Sequence, residues 1–451
     1  NLWVLRDGSL QLIETEDARP SDHLPVPEQL PETARKDSFN VVHALRDTSL
    51  HVKAASLLRS FIQEEGVAAL AEPLRKAGIK QPYAKISAVR GRTHGDGGLS
   101  MGVASSIRSA TKDLAGTWRD SKVKVGGKRV EHQLPGTLSL TPEVLRLFGY
   151  YIAEGHGSER YILISNQDNV VRKQIEDSLK ALGLPYQKRP SSDYQIGSKA
   201  LTELLSGECG CRSGEKRMPD FWSSLSNDSL AILLRAYYDG DGTVARANAV
   251  TATTASSELA SDIAYALMRY GIHARLRTVS KSATNGDGIP RDYTQITISG
   301  QADLRRFQQH IGFDIARKQQ RLAECTGGRG NTNVDVVPVN GGKLRYLRTE
   351  AGLSMSRLAE ESNCSRRAVG FYESGERRPS RNMLKRITSA LRRLTSNTST
   401  SEKWTRNWRE MQQLTKVRWT PIASVEAVEY GHPYVYDLSV PGPETFLAGH
   451  G

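Results

Sequence analysis

The sequence predicts an α+β protein of several units, and three observations predict it. Between residues 135 and 322 a helix, a β-like run and a second helix occur twice in the same order. Residues 341–395 read as a compact all-α unit, and the two ends of the chain, 1–30 and 416–451, read as short β runs. At 451 residues the chain is too long for one core, since domains run roughly 100–200 residues, so about three units are expected.

The elements follow in order. Leu2-Trp3-Val4-Leu5 and Leu10-Gln11-Leu12-Ile13 are apolar runs separated by Asp7-Gly8, a hairpin signal, and the Pro-rich Leu24-Pro25-Val26-Pro27 closes this small β element. Helical periodicity is read in Lys53–Phe61 and Val67–Ala77. The Gly- and basic-rich stretch from Arg90 to Lys128, poor in large apolar residues, reads as a linker or a DNA-facing surface. In the first copy of the repeat a helix with Val144, Leu145, Leu147, Phe148 and Tyr151 ends in Ala153-Glu154-Gly155. The β-like run Tyr161–Ser165 and a helix from Asn169 to Leu182, closed by Gly183, follow it. The second copy has the helix Leu230–Tyr238 ending in Gly240-Asp241-Gly242, the run Ala249–Thr253, and a helix from Ser257 to Tyr270 closed by Gly271. From acid to closing glycine the spacing is 29 residues in the first copy (154 to 183) and 30 in the second (241 to 271), which chance does not readily supply. Beyond the helical unit, Val417-Arg418-Trp419 and Val435–Val440 return to β-like alternation.

Lys and Arg number 62 against 49 Asp and Glu, a formal charge of +13. Such an excess favours a polyanion through counterion release, the plainer alternative being a solubilising surface. Four cysteines, only Cys209 and Cys211 close together, argue against a disulfide framework and for a reducing compartment. That pair lacks the second pair that would close a zinc site and reads as loop thiols. No run approaches the ~18 apolar residues of a membrane span, so a cytoplasmic protein without membrane contact is expected. The chain begins Asn1-Leu2 without methionine and stops at His450-Gly451, as a fragment of a longer protein would.

An acid before glycine at the end of an apolar helix sits against the negative half-charge of the helix dipole, so something positive must offset it. If the two helices pack side by side, Glu154 and Asp241 meet at the bottom of their interface as a hard-oxygen site suited to Mg²⁺, able to activate water and stabilise the leaving oxygen of a phosphodiester. Gly149, Ala153 and Ala236 would allow close approach; the bland alternative is a pair of helix ends with incidental acids. Leu147-Phe-Gly-Tyr-Tyr-Ile-Ala-Glu-Gly155 and Leu234-Arg-Ala-Tyr-Tyr-Asp-Gly-Asp-Gly242 resemble, in divergent form, the two signature blocks of LAGLIDADG homing endonucleases. The resemblance implies a pseudo-twofold αββαββα domain whose saddle-shaped sheets lie along the major groove, with Glu154 and Asp241 as catalytic metal ligands. It also implies two catalytic lysines. Lys216, in Lys216-Arg217-Met218-Pro219, resembles the lysine before the second block, and Lys318 occupies the comparable place after the second repeat. Either lysine could instead be merely solvated.

In the helical unit Ser354 and Ser365 are each placed to cap a helix, with a short turn between. Leu344 to Glu373, extended by Gly375, Arg377, Pro379 and the helix Asn382–Leu394, resembles a phage-repressor helix-turn-helix over roughly fifty residues. Thirteen Lys and Arg against five Asp and Glu in 341–395 concentrate charge here. In that family the second helix enters the major groove, which makes Arg366 and Arg367 the DNA-contact candidates and Leu358, Ala359, Val369 and Leu384 the core; the alternative is a packing domain that no longer binds DNA.

The tail from Tyr434 to Gly451 is similar to the block near an intein's C-terminus, and the first thirty residues resemble the chain after the intein's Thr-x-x-His block. Asp437 then holds the position that assists splicing, while Glu444 stands where some inteins carry a histidine. The nucleophile, the activating Thr and His and the terminal Asn are not in this chain, so only the complete protein is expected to splice. The expected domains are 1–32 and 405–451 as the two parts of a Hint splicing domain, 33–134 an inserted linker or DNA-facing region, 135–325 the endonuclease, and 335–397 the helix-turn-helix domain. The function expected is Mg²⁺-dependent, site-specific cleavage of double-stranded DNA at the intein-free allele of the host gene, by a monomer with host exteins in cis. The alternative is a DNA-binding intein or repressor-like protein with an inactive nuclease; the presence of both acids favours the enzyme.

Overall fold

The computed structural model describes residues 1–33, 35–45, 48–53, 62–63, 66–72, 75, 80–83, 86, 99–102, 104–105, 124–126, 132–159, 161–245, 248–281, 289–327, 335–396, 400–427, 429, 431, 440 and 442. They fall into two compact units, Asn1–Leu30 with Arg329–Gly451, and Pro31–Gly328.

The repeat organises the second unit. Its first helix, Pro142–Glu154, starts where the Thr141 hydroxyl accepts from the Val144 N–H, with proline in the first turn where no N–H is required. Its counterpart, Asn227–Asp241, is capped in the same way by Ser226. After the first helix come strands Gly155–Gly157 and Ile162–Ser165, helix Asn169–Ala181, strands Gln187–Lys188 and Asp193–Ile196, and helix Lys199–Cys209. After the second come Thr243–Ala245, Ala249–Thr254, helix Ser257–Met268, strands Ala274–Lys281 and Arg291–Ser299, and helix Gln301–His310. Each copy is therefore helix, two strands, helix, two strands, helix, and both antiparallel sheets run in the order first, second, fourth, third strand. Ala274–Lys281 and Arg291–Ser299 are not among the elements expected from the sequence. One face of this pair is exposed and charged, and the other carries Leu276, Ile296 and Ile298.

The two repeat helices meet at equivalent small residues. A Cβ on Gly149 would lie 2.6 Å from the Ala236 Cβ and 2.6 Å from the Leu233 carbonyl oxygen; one on Gly240 would lie 2.6 Å from the Ala153 Cβ. Gly149 and Ala236 each stand five residues before the acid of their helix, Ala153 and Gly240 one before it, so the helices meet across a local pseudo-twofold axis. In an open helix Gly→Ala gains about 1 kcal/mol of propensity. Here the added methyl group meets a backbone oxygen that cannot give way, so Gly149→Ala is expected to lower stability by about 1–3 kcal/mol. Urea unfolding measures it, and a gain in stability would mean that the helices have room.

Residues upstream of the repeats enter the same core rather than standing apart as a linker. Phe39, Val41, Val42, Val52, Met101, Val125 and Leu134 are buried in one cluster with Leu145, Phe148 and Leu234. Ser38–Asn40 pairs with Thr137–Ser139, and Leu99–Ser100, His51–Lys53, Lys124–Gly126 and Leu134–Pro135 form a sheet in that order. Between Arg90 and Lys128, Met101, Ala104 and Val125 are fully enclosed. Lys53 ends a strand instead of opening a helix, and most of the helix expected to follow it lies outside the described residues. Of the other expected helix, residues 67–72 are helical.

In the other unit, strands Leu2–Arg6 and Ser9–Ile13 form a hairpin whose turn residues, Asp7 (φ 52°) and Gly8 (φ 73°), take the left-handed values a tight hairpin needs. His23–Pro27 lies beside Leu2–Arg6, and Val417–Pro421 pairs antiparallel with His23–Pro27, Trp419 opposite Pro25. The two ends of the chain therefore share one four-stranded sheet. Helices Gly341–Glu350, Met355–Glu361, Arg366–Ser374, Arg381–Leu394 and Glu402–Gln413 complete the unit, and Leu5 and Trp419 of the sheet are buried in the helical core with Leu358, Ala359, Val369, Leu384 and Trp404. Asp437, Glu444 and residues 435–439 of the second β run of the tail lie outside the described residues. Among the described residues no helix is long and apolar enough to cross a membrane.

Candidate active site

Glu154 and Asp241 are the last residues of the two paired helices. Both are half-buried, and burial raises both carboxyl groups above their usual range. Asp241 is pushed up to about 8, by desolvation first and by the nearby charge of Glu154 second; the charge of Lys318 acts against burial at both acids. The structure thus brings the two predicted acids together at the foot of the helix pair.

It brings the two lysines there as well. The Lys216 Nζ donates to the Tyr151 carbonyl at 2.9 Å and lies 3.6 Å from the centroid of that tyrosine's ring. Lys318 Nζ donates to the carbonyls of Tyr238 (3.1 Å), Asp239 (2.7 Å) and Gly240 (3.4 Å). Tyr151 and Tyr238 are equivalent positions, each three residues before its acid. Each helix therefore ends on carbonyls that hold a lysine ammonium, which supplies the positive charge that an acid at a helix C-terminus requires. Neither lysine is simply solvated. Lys216 is buried, and burial pushes its pKa down to about 8; burial lowers that of Lys318 too.

Each lysine-bearing segment is anchored to the opposite repeat. The Lys216 carbonyl accepts from the Ser256 hydroxyl at 2.5 Å, and the Met218 N–H donates to Asp262 at 3.1 Å, both on the second repeat. Ahead of Lys318, the Asp314 carboxylate accepts from the Gln174 amide of the first repeat at 2.9 Å. Asp239 is a further buried acid here, not among the residues expected from the sequence. It is 1% exposed, and its carboxylate accepts from the backbone N–H groups of Asp314 (3.1 Å) and Ile315 (3.3 Å). Burial pushes its pKa up to about 7.

The exposed sheet face of the second repeat is basic. Arg275 stands opposite Thr297 and Thr297 opposite Thr251; Arg277 stands opposite Gln295 and Gln295 opposite Thr253, so the side chains form rows across the strands, with Lys281 and Arg291 paired beyond them. The alternate residues Ala252, Ile296 and Ile298 point into the core. The row of the first repeat that corresponds to that of Arg275 is His156, Leu163, Gln195 and Gln187, without lysine or arginine, while Arg189 stands exposed two residues after Gln187 as Arg277 stands two after Arg275.

In the helical unit, Arg366 and Arg367 are exposed on the first turn of helix Arg366–Ser374, which Ser365 caps. The guanidinium of Arg367 lies 5.1 Å, and that of Arg377 5.0 Å, from the centroid of the Phe371 ring. Behind this surface Arg348 and Glu373 form a buried bidentate pair.

Residues 228–312 match the model of a LAGLIDADG-like domain, which covers the second repeat, and residues 344–395 match that of a helix-turn-helix. Over 233 residues the chain is 31% identical to a replication factor C small subunit of Methanocaldococcus jannaschii, an alignment covering 49% of this chain and 12% of that protein. It is 25% identical over 344 residues to the DNA-directed RNA polymerase subunit Rpo1C of the same organism, covering 73% of this chain and 36% of that protein. With the replicative DNA helicase DnaB of Rhodothermus marinus the identity is 27% over 368 residues, 72% of this chain and 36% of that protein. The chain thus spans little more than a third, or less, of the length of these relatives.

Proposed function

We infer that this chain is a site-specific double-strand DNA endonuclease carried within an intein, cutting the intein-free allele of its host gene, and that the complete protein splices itself out between host exteins. The observation that carries the nuclease is the convergence of Glu154 and Asp241 at the paired helix ends, with Lys216 and Lys318 fixed on the carbonyls of the same two turns. Support for the intein comes from the shared sheet of the two chain ends and from relatives whose names have no activity in common. A mobile insert found in unrelated hosts would give such a set.

The donor set fits Mg²⁺. Among the described residues no group of three or more His, Cys, Asp or Glu is placed to hold a metal, so the chain would offer two carboxylates and leave the remaining positions to water and phosphate oxygens, as Mg²⁺ prefers. When bound, the cation would neutralise charge on the scissile phosphate and lower the pKa of a coordinated water. Glu154 and Asp241 would hold it. Lys216 and Lys318 would each face one scissile phosphate, their ammonium groups aimed by the helix carbonyls they occupy. The basic rows Arg275, Arg277, Lys281 and Arg291 would contact DNA, and Arg366 and Arg367 would place the helix-turn-helix in the groove. Because both halves of the site lie in one chain, a monomer suffices.

The test joins the host sequences on either side of the coding segment into one duplex and offers it to the purified protein with and without Mg²⁺. A double-strand break at the joint only with Mg²⁺, together with a ligated host product on expression of the complete gene, is expected. Tight binding without cutting would favour the alternative, a DNA-binding intein or repressor-like protein with an inactive nuclease.

A further inference from the structure

The geometry points to Asp239 as a positioning residue for Lys318, and so for the cleavage of one DNA strand and not the other. The inference rests on the endonuclease reading above. Asp239 and Asp241 are two apart on one helix, about 200° around its axis, so they face opposite ways. Asp241 ends the helix beside Glu154, whereas Asp239 turns into the protein, where its two carboxylate oxygens take the N–H groups of Asp314 and Ile315. Those two residues lead into helix Ala316–Thr326, whose third residue is Lys318. Lys318 Nζ then returns to the Tyr238, Asp239 and Gly240 carbonyls. Asp239 therefore fixes both ends of the link, its carboxylate holding the turn and its carbonyl receiving the ammonium.

Among the described residues the first repeat shows no such link. Ile152 stands at the equivalent position and is buried among apolar side chains. Lys216 is placed instead by the Tyr151 ring and carbonyl and by the Ser256 hydroxyl on its own main chain. A change at Asp239 thus reaches Lys318 and leaves Lys216 seated. Asparagine at position 239 would keep one acceptor for two buried N–H groups and turn an amide donor toward the other, which would release the turn.

The experiment follows each strand of a target duplex labelled at either 5′ end. With Asp239→Asn, DNA affinity should hold, one strand should be cut about 100-fold more slowly, as a displacement near 1 Å of a catalytic group produces, and the other strand should keep its rate. Supercoiled plasmid would then accumulate as nicked circles. In a Lys318→Ala background Asp239→Asn should add no further loss, since both act through one ammonium. Equal slowing of both strands, or losses that multiply in the double variant, would overturn the assignment. A crystal structure of Asp239→Asn decides it without any cutting. Lys318 Nζ away from the three carbonyls supports it, and Lys318 Nζ still seated on them refutes it. Wild-type protein that cuts no duplex would count against the endonuclease reading, and the position of Lys318 would still settle the placement.

Discussion

Asp241→Asn is expected to lower duplex cleavage by at least about 1,000-fold while leaving DNA affinity unchanged or tighter. The asparagine keeps the shape of the helix end but not the charge that would hold a divalent cation, and it removes one of two like charges that DNA phosphates must approach. The same variant separates a site from a structural acid through its pH dependence. Asp241 keeps its proton in the folded, metal-free protein up to about 8, against a usual 3.8. Between those values the folded state binds a proton that the unfolded state lacks, so stability falls as pH rises through the window and is fully present only below it. Wild-type protein should therefore lose thermal stability from pH 5 to pH 8 without Mg²⁺ and regain part of it when Mg²⁺ is added at pH 8. Asp241→Asn should lose less and gain nothing from the cation. Melting curves at the two pH values check both statements. A variant that still cuts, or that loses its DNA affinity, would show that Asp241 serves the fold.

How much of this the sequence reveals depends on how local each signal is. The acid-glycine helix ends repeat at nearly equal spacing, and small residues stand where the helices must meet, so Glu154, Asp241 and their pairing could be read from one strand of text. The lysines could be named only by resemblance, because Lys216 and Lys318 reach their carbonyl partners from segments distant in the chain. Asp239 was hidden by its neighbour. In Tyr-Tyr-Asp-Gly-Asp-Gly the two acids look alike, and only the helical wheel, which turns them to opposite sides, separates a buried turn anchor from the acid that faces Glu154. Trp404, Trp408 and Met411 recur at helical spacing in Glu402–Gln413, a signal as local as the acid-glycine helix ends. Strand Arg291–Ser299 also carries a legible signal, since buried Ile296 and Ile298 alternate with Gln295, Thr297 and Ser299.

The buried ion pair of the helical unit sets the largest stability effect expected. Arg348 Nε donates to Glu373 at 2.6 Å and Nη2 at 2.9 Å, while Nη1 takes the Leu353 carbonyl at 2.8 Å. The two side chains are 9% and 0% exposed. Glu373 lies one residue before the end of the helix that presents Arg366 and Arg367, and Arg348 lies in the last turn of Gly341–Glu350, so the pair fixes the angle between these helices. Removing one partner leaves a buried charge unmatched. Glu373→Ala should therefore cost about 3–5 kcal/mol, whereas Arg348→Met combined with Glu373→Leu should be close to neutral, because the desolvation of both ions disappears with them. Calorimetry of the full chain, with its two compact units, should show one transition falling in Glu373→Ala and the other holding its temperature. A double variant as unstable as the single one would mean that the charges contribute more than their burial costs. A single variant as stable as wild type would mean that water reaches Arg348 and that the pair does not set the helix angle.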